Sequence, residues 1–161
     1  MTQPRAGFLL TRHWRDTPQG TELTFWLATD DGPLEVTLPP QESVAFIPES
    51  QRPQAERLLQ GENGHRLAAL ILQDFHRQRV FGLYCRAHRQ LMRLEKKLRE
   101  NGVTVYEGDV RPPERYLMER FITAPVWVEG EARGQRLVNA RMKPNPHYRP
   151  PLKWVSLDIE T

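Results

Sequence analysis

Hydrophobic residues near the start of the chain recur at every second position. Phe8, Leu10, Arg12 and Trp14 alternate with Leu9, Thr11 and His13, and a period of two is what a half-buried strand produces. The turn residues Asp16-Thr17-Pro18-Gln19-Gly20 follow, with Pro18 presetting φ and Gly20 free to take positive φ. Leu23, Phe25 and Leu27 then share one face of Thr21 to Thr29, which completes a hairpin. Asp30-Asp31-Gly32-Pro33 turns the chain into Leu34, Val36 and Leu38, and Val44 with Phe46 continues the alternation after Pro39-Pro40. The first fifty residues predict an antiparallel meander of about four strands.

The period then changes. Ser50 is placed to cap a short helix through Gln60, with Pro53 in the first turn and Gly61 just past the end. His65 to Phe75 and Val80 to Tyr84 predict a second pair of strands, although the apolar run Leu67 to Leu72 also suits a buried helix. Ala87, Leu91, Leu94 and Leu98 lie on one helical face, Glu95 and Arg99 form an i,i+4 pair, and Gly102 stands at the stop. This spacing predicts an amphipathic helix over Arg86 to Asn101. A short strand is expected over Val103 to Tyr106, a helix from Pro112 to Ile122, and a hairpin from Pro125 to Glu129 and Arg136 to Met142.

Lys143 to Pro151 has four prolines and no periodicity, which marks a linker. Beyond it, Val155, Leu157 and Ile159 alternate with Trp154, Ser156, Asp158 and Glu160, so a new strand is expected over Lys153 to Thr161. The fold class expected is α+β: an antiparallel meander, either a partly open barrel or an RRM-like sheet, with two or three helices. Residues 1–150 form one domain in this reading and residues 151–161 open another.

Composition narrows the function classes. The 161 residues carry 23 Lys and Arg against 20 Asp and Glu, a net charge of +3, so charge alone names no partner. Cys85 is the only cysteine, which excludes an internal disulfide framework. The longest apolar run has six residues where a membrane helix needs about 20. Met1 to Trp14 lacks the pattern of a secretory signal, and a soluble cytoplasmic protein without membrane contact is expected.

The basic residues are nevertheless concentrated. Residues 76–99 hold eight Lys and Arg and one acid, while the rest of the chain is net acidic. On the amphipathic helix, Arg86, Arg89, Arg93 and Lys96 or Lys97 form a stripe opposite the leucines that can neutralise successive phosphates, or can equally be a solvated face. Trp14 and Trp26 can stack on unpaired bases or pack in a core. His76, Cys85 and His88 lack the fourth ligand of a structural zinc site. Asp158 and Glu160 point the same way along a strand, about 6–7 Å apart. Two carboxylates at that spacing can converge on Mg²⁺ or Mn²⁺ in a two-ion site for phosphodiester displacement, although D-x-E alone is too short to be specific.

Three stretches together resemble one family. Asp109-Val110-Arg111-Pro112-Pro113-Glu114-Arg115-Tyr116-Leu117-Met118-Glu119-Arg120-Phe121-Ile122 is similar to the segment preceding the exonuclease domain of family B DNA polymerases. Leu152-Lys153-Trp154-Val155-Ser156-Leu157-Asp158-Ile159-Glu160-Thr161 resembles the first motif of their 3′–5′ exonuclease. Gly7 to Asp16, with Asp74-Phe75-His76-Arg77 and Gly82-Leu83-Tyr84-Cys85-Arg86-Ala87-His88-Arg89, resembles bacterial members. The resemblance implies the N-terminal domain of a large polymerase and the first strand of its ribonuclease H-like exonuclease domain. It also implies that Asp158 and Glu160 bind two Mg or Mn ions in the complete exonuclease site. Its implied partners are a single-stranded or primer-template DNA, the exonuclease and palm domains of the same polypeptide, and a sliding clamp reached through other parts. The implied location is the bacterial cytoplasm, at the nucleoid when on DNA. The remaining exonuclease motifs and all polymerase motifs are absent from these residues, so the piece alone is expected to be inactive. Two rivals stand beside this reading: a free-standing single-strand-binding module and a structural interdomain wedge.

Overall fold

The computed structural model describes residues 3–160. In chain order the elements are β1 (Arg5–Thr17), β2 (Gly20–Thr29), β3 (Gly32–Thr37), β4 (Ser43–Pro48), a 3-10 turn (Glu49–Gln51), α1 (Arg52–Leu59), β5 (His65–Gln73), β6 (Arg79–Cys85), α2 (His88–Glu100), α3 (Pro112–Glu119), β7 (Pro125–Arg133) and β8 (Arg136–Pro144). The α+β class is as expected. None of these helices is long and apolar enough to cross a membrane.

The elements form two compact units, one of residues 3–13, Thr24–Leu38 and 117–160, the other of Trp14–Leu23 and Pro39–Tyr116. The first unit holds a five-stranded sheet in the order β1-β2-β3-β8-β7 that closes on itself. The barrel is therefore closed, not partly open, and not wholly antiparallel. Its closure runs through a parallel pairing of β3 with β8 (Glu35↔Arg136, Val36↔Leu137) and an antiparallel pairing of β1 with β7 (Arg5↔Val128 to Phe8↔Pro125). Closure leaves no free ladder at either edge. The alternation read from the sequence fills this unit: Phe25, Leu27, Leu34, Val36, Val126, Val128 and Leu137 are buried while Trp26 points outward.

The second unit is a three-stranded antiparallel sheet, β4-β6-β5, packed with α1 and α2. The expected meander thus breaks before β4, because Pro39 and Pro40 supply no N–H donors to carry the β2–β3 ladder onward. Ala45, Ile47, Phe81, Leu83 and Cys85 from the sheet join Ala55, Leu59, Leu91, Leu94 and Leu98 from the helices in one core. Leu67 packs on its margin, whereas Ile71 and Leu72 are exposed. The apolar run is therefore a strand, paired from His65↔Cys85 to Gln73↔Arg79 with a register shift between Ala69 and Leu72.

Other local expectations change at element ends. Gln51, not Ser50, takes the N-cap position of α1. Val103 to Tyr106 forms no strand but a single bridge, Tyr106 to Phe46. The helix from Pro112 stops at Glu119, where Phe121 turns the chain at φ +54° and the Ile122 N–H returns to the Leu117 carbonyl at 2.9 Å. The strand expected over Lys153 to Thr161 is not formed. Residues 151–160 lie outside every helix and strand with Val155, Leu157 and Ile159 exposed, and Thr161 is outside the described residues. Alternation alone does not make a strand when no neighbouring ladder accepts its backbone groups.

Candidate nucleic-acid interface and carboxylate pair

Helix α2 carries four cations of the basic stripe, Arg86 lying just before its N-cap, and its orientation follows from its leucines. With Leu91, Leu94, Glu95 and Leu98 buried, Arg86, Arg89, Arg93 and Lys96 are exposed and Lys97 is half-buried. The stripe is not uniform. Arg93 grips Glu62 with both terminal nitrogens, at 2.6 and 3.1 Å, and Lys97 Nζ lies 3.0 Å from the same carboxylate. These two cations pull the Glu62 carboxyl down to a pKa of about 2, Arg93 contributing most. Lys96 Nζ sits 3.8 Å from Glu100. Among the described residues, Arg86 and Arg89 form no side-chain ion pair, although the charge of Arg86 helps, after Arg66, to lower the Glu42 carboxyl. The expected five-residue stripe therefore has two cations open to an anion at the start of the helix, and three that already face an acid.

The start of the helix is built from afar. Ala87 takes the N-cap position and offers no capping side chain. Asp16, at the tip of the β1–β2 hairpin, accepts the backbone N–H of His88 at 2.8 Å and of Arg89 at 3.1 Å. Burial works to raise the Asp16 pKa, but the N–H groups of Arg89 and His88 and the Thr21 hydroxyl outweigh it and hold the carboxyl below its ordinary value. The His88 imidazole lies edge-on to Trp14, with centroids 6.2 Å apart, and its Nδ1 is 3.2 Å from Ser43 Oγ. Burial lowers its pKa. In the sequence Asp16 reads as turn chemistry and Glu62 as an ordinary loop acid; no local signal marks either contact.

Asp158 and Glu160 lie in the exposed segment that follows the barrel. Hard divalent cations require a full shell of oxygens, and among the described residues no group of three His, Cys, Asp or Glu is gathered to hold a metal ion. The residues present do not by themselves make an ion site. Cys85 is buried and its thiol pKa is pushed up to about 12 by burial, so it is a core residue and not a nucleophile.

Comparisons with known proteins divide the chain between β3 and β4. Residues 7–42 match the family described as DNA polymerase II, N-terminal, and residues 43–103 match the one described as DNA polymerase II, insertion domain. The boundary falls where β4 begins. DNA polymerase II of Escherichia coli (strain K12) is 75% identical over 157 residues, 98% of this chain and 20% of that relative, so the chain spans about a fifth of the relative's length. The family B DNA polymerase of the hyperthermophilic archaeon Pyrobaculum calidifontis shares the fold, with a TM-score of 0.69 at 17% identity over 91% of this chain and 21% of that one. Two adjoining matches from residue 7 to residue 103, and identity that extends over nearly the whole sequence, lead to one assignment: the chain belongs to the DNA polymerase II family and corresponds to its N-terminal region.

Proposed function

We propose that this chain is the N-terminal part of a DNA-directed DNA polymerase with a 3′–5′ proofreading exonuclease, serving DNA replication, repair and damage-tolerant synthesis. Its own role in that reading is template-side binding and packing against the exonuclease and palm domains. The observation that carries the proposal is the 75% identity over 157 residues to a DNA polymerase II. Arg86 and Arg89 are the cations available to template phosphates, whereas Arg93 and Lys97 are engaged by Glu62, which favours packing at that end of α2. Asp158 and Glu160 contribute to a two-ion Mg or Mn site whose other ligands come from outside these 161 residues. A sliding clamp is engaged through other parts, and the enzyme works in the cytoplasm on nucleoid DNA.

The test uses the full-length protein. Asp158→Ala or Glu160→Ala abolishes removal of a mismatched 3′ nucleotide while primer extension is largely retained, because the two reactions use different domains. Equal loss of both activities contradicts the assignment.

A further inference from the structure

In the second unit, β5 is an edge strand, and its far end presents apolar side chains to solvent. Ile71 is 102% and Leu72 49% exposed, and Phe75, in the turn to β6, is 105% exposed. No charged residue stands between Leu67 and Gln73. This edge therefore lacks the lysines and inward charges that usually keep an exposed edge from pairing with other chains, and only the register shift between Ala69 and Leu72 interrupts it.

The turn that displays Phe75 is braced. Asp74 Oδ1 accepts the backbone N–H of His76 at 2.8 Å and of Gln78 at 2.9 Å, the Asp74 N–H donates to the Gln78 carbonyl at 2.9 Å, and the Tyr106 hydroxyl donates to Oδ2 at 3.1 Å. The Gln78 N–H foremost lowers the Asp74 pKa. The negative charge of Asp74 is thus engaged inside the turn. Arg77, held at φ +61°, and Arg79 follow Phe75 and make no ion pair among the described residues.

We propose that the β5–β6 tip is a plug. Ile71, Leu72 and Phe75 seat in an apolar recess on the part of the polymerase polypeptide outside these 161 residues, and Arg77 and Arg79 pair with an acidic rim around it. Phe75 with Arg77 and Arg79 would by themselves also suit unpaired bases, but Ile71 and Leu72 beside them are aliphatic and gain by burial against protein, and this chooses protein over nucleic acid. The chain spans a fifth of its relative, so the larger part of such a polypeptide is available as the partner. The tip lies at the end of β6 opposite the start of α2, about 20 Å along the strand, which separates the plug from Arg86 and Arg89. The inference rests on the reading that this chain is part of a polymerase.

The experiment is hydroxyl-radical footprinting, read by mass spectrometry, of the full-length polymerase without DNA, with primer extension assayed on the same preparation. Ile71, Leu72 and Phe75 lose most of the oxidation that they show in a synthetic peptide of residues 67–81, and an Arg77→Glu/Arg79→Glu variant restores it. Oxidation at the peptide rate in a preparation that extends primers overturns the plug alone. Protection that arises only when single-stranded DNA is added overturns it in favour of nucleic acid, and unchanged protection in the reversal variant overturns the acidic rim. Absence of primer extension removes the proposed function and the plug with it.

Discussion

The Asp16 carboxylate accepts the backbone N–H of His88 at 2.8 Å across a separation of 72 residues. A helix whose own N-cap is Ala87 is thereby capped by the tip of a hairpin. The carboxylate satisfies two of the four N–H groups that a helix leaves open and faces the positive end of its dipole. Arg86 and Arg89, the two open cations of the stripe, flank this contact, so their placement depends on it.

Asp16→Ala should lower the unfolding free energy of the 161-residue chain by about 1–2 kcal/mol, the usual effect of deleting a cap, with Asp16→Asn losing less. The folded pKa of Asp16 is lowered. Its contribution is therefore present above the unfolded carboxylate value of about 3.9 and is lost as pH falls through the folded value. Urea unfolding of wild type and variant at neutral and acid pH checks this: the gap between them narrows with acid.

Glu62→Gln removes the shared partner of Arg93 and Lys97. The Glu62 carboxyl titrates near 2 in the fold against an ordinary 4.5, so the pairing stabilises fully above 4.5 and disappears as pH falls through about 2. Thermal midpoints of wild type and variant should differ at pH 7 and converge near pH 2. The variant should also bind single-stranded DNA more tightly at low salt if the freed cations face phosphate.

Arg86→Glu/Arg89→Glu should flatten the dependence of single-stranded DNA affinity on salt, by about 0.7 in log–log slope for each phosphate that is no longer neutralised. Arg93→Gln/Lys97→Gln should change the slope less, because both side chains already face Glu62. Fluorescence anisotropy across a salt series measures both. Equal slopes in all variants would make α2 a solvated face.

Gly130 lies at the register shift of β7, where an added Cβ would meet the Val138 carbonyl oxygen at 2.9 Å and Ala140 Cβ at 3.0 Å. Because the nearest of these atoms is backbone within the barrel, Gly130→Ala should destabilise by about 1–3 kcal/mol. Gly134→Ala also strains a positive φ but has nothing within 4 Å. Its loss should be the smaller of the two in the same denaturant titration.

Much of the fold was legible locally. Leu91, Leu94 and Leu98 mark the buried face of α2, and the β7–β8 hairpin lies where it was expected, whereas the apolar run of β5 suited a strand or a buried helix until its pairing with β6 decided it. The candidate site was legible as residue types only. Five cations on one helix face look alike in the sequence, and the acid that separates Arg93 and Lys97 from Arg86 and Arg89 comes from a loop 31 residues before Arg93.

The sequence by itself determined most of the strands and helices and which of their faces are apolar, because those periods depend only on neighbouring residues. The family assignment rests on it as well. Only the tertiary structure decided that β3 closes a barrel on β8, that β4 leaves it for a second sheet, that Asp16 caps α2, and that residues 151–160 form no strand. Each of these depends on a hydrogen-bond partner distant in the chain, and a backbone group carries no local record of which distant partner will satisfy it.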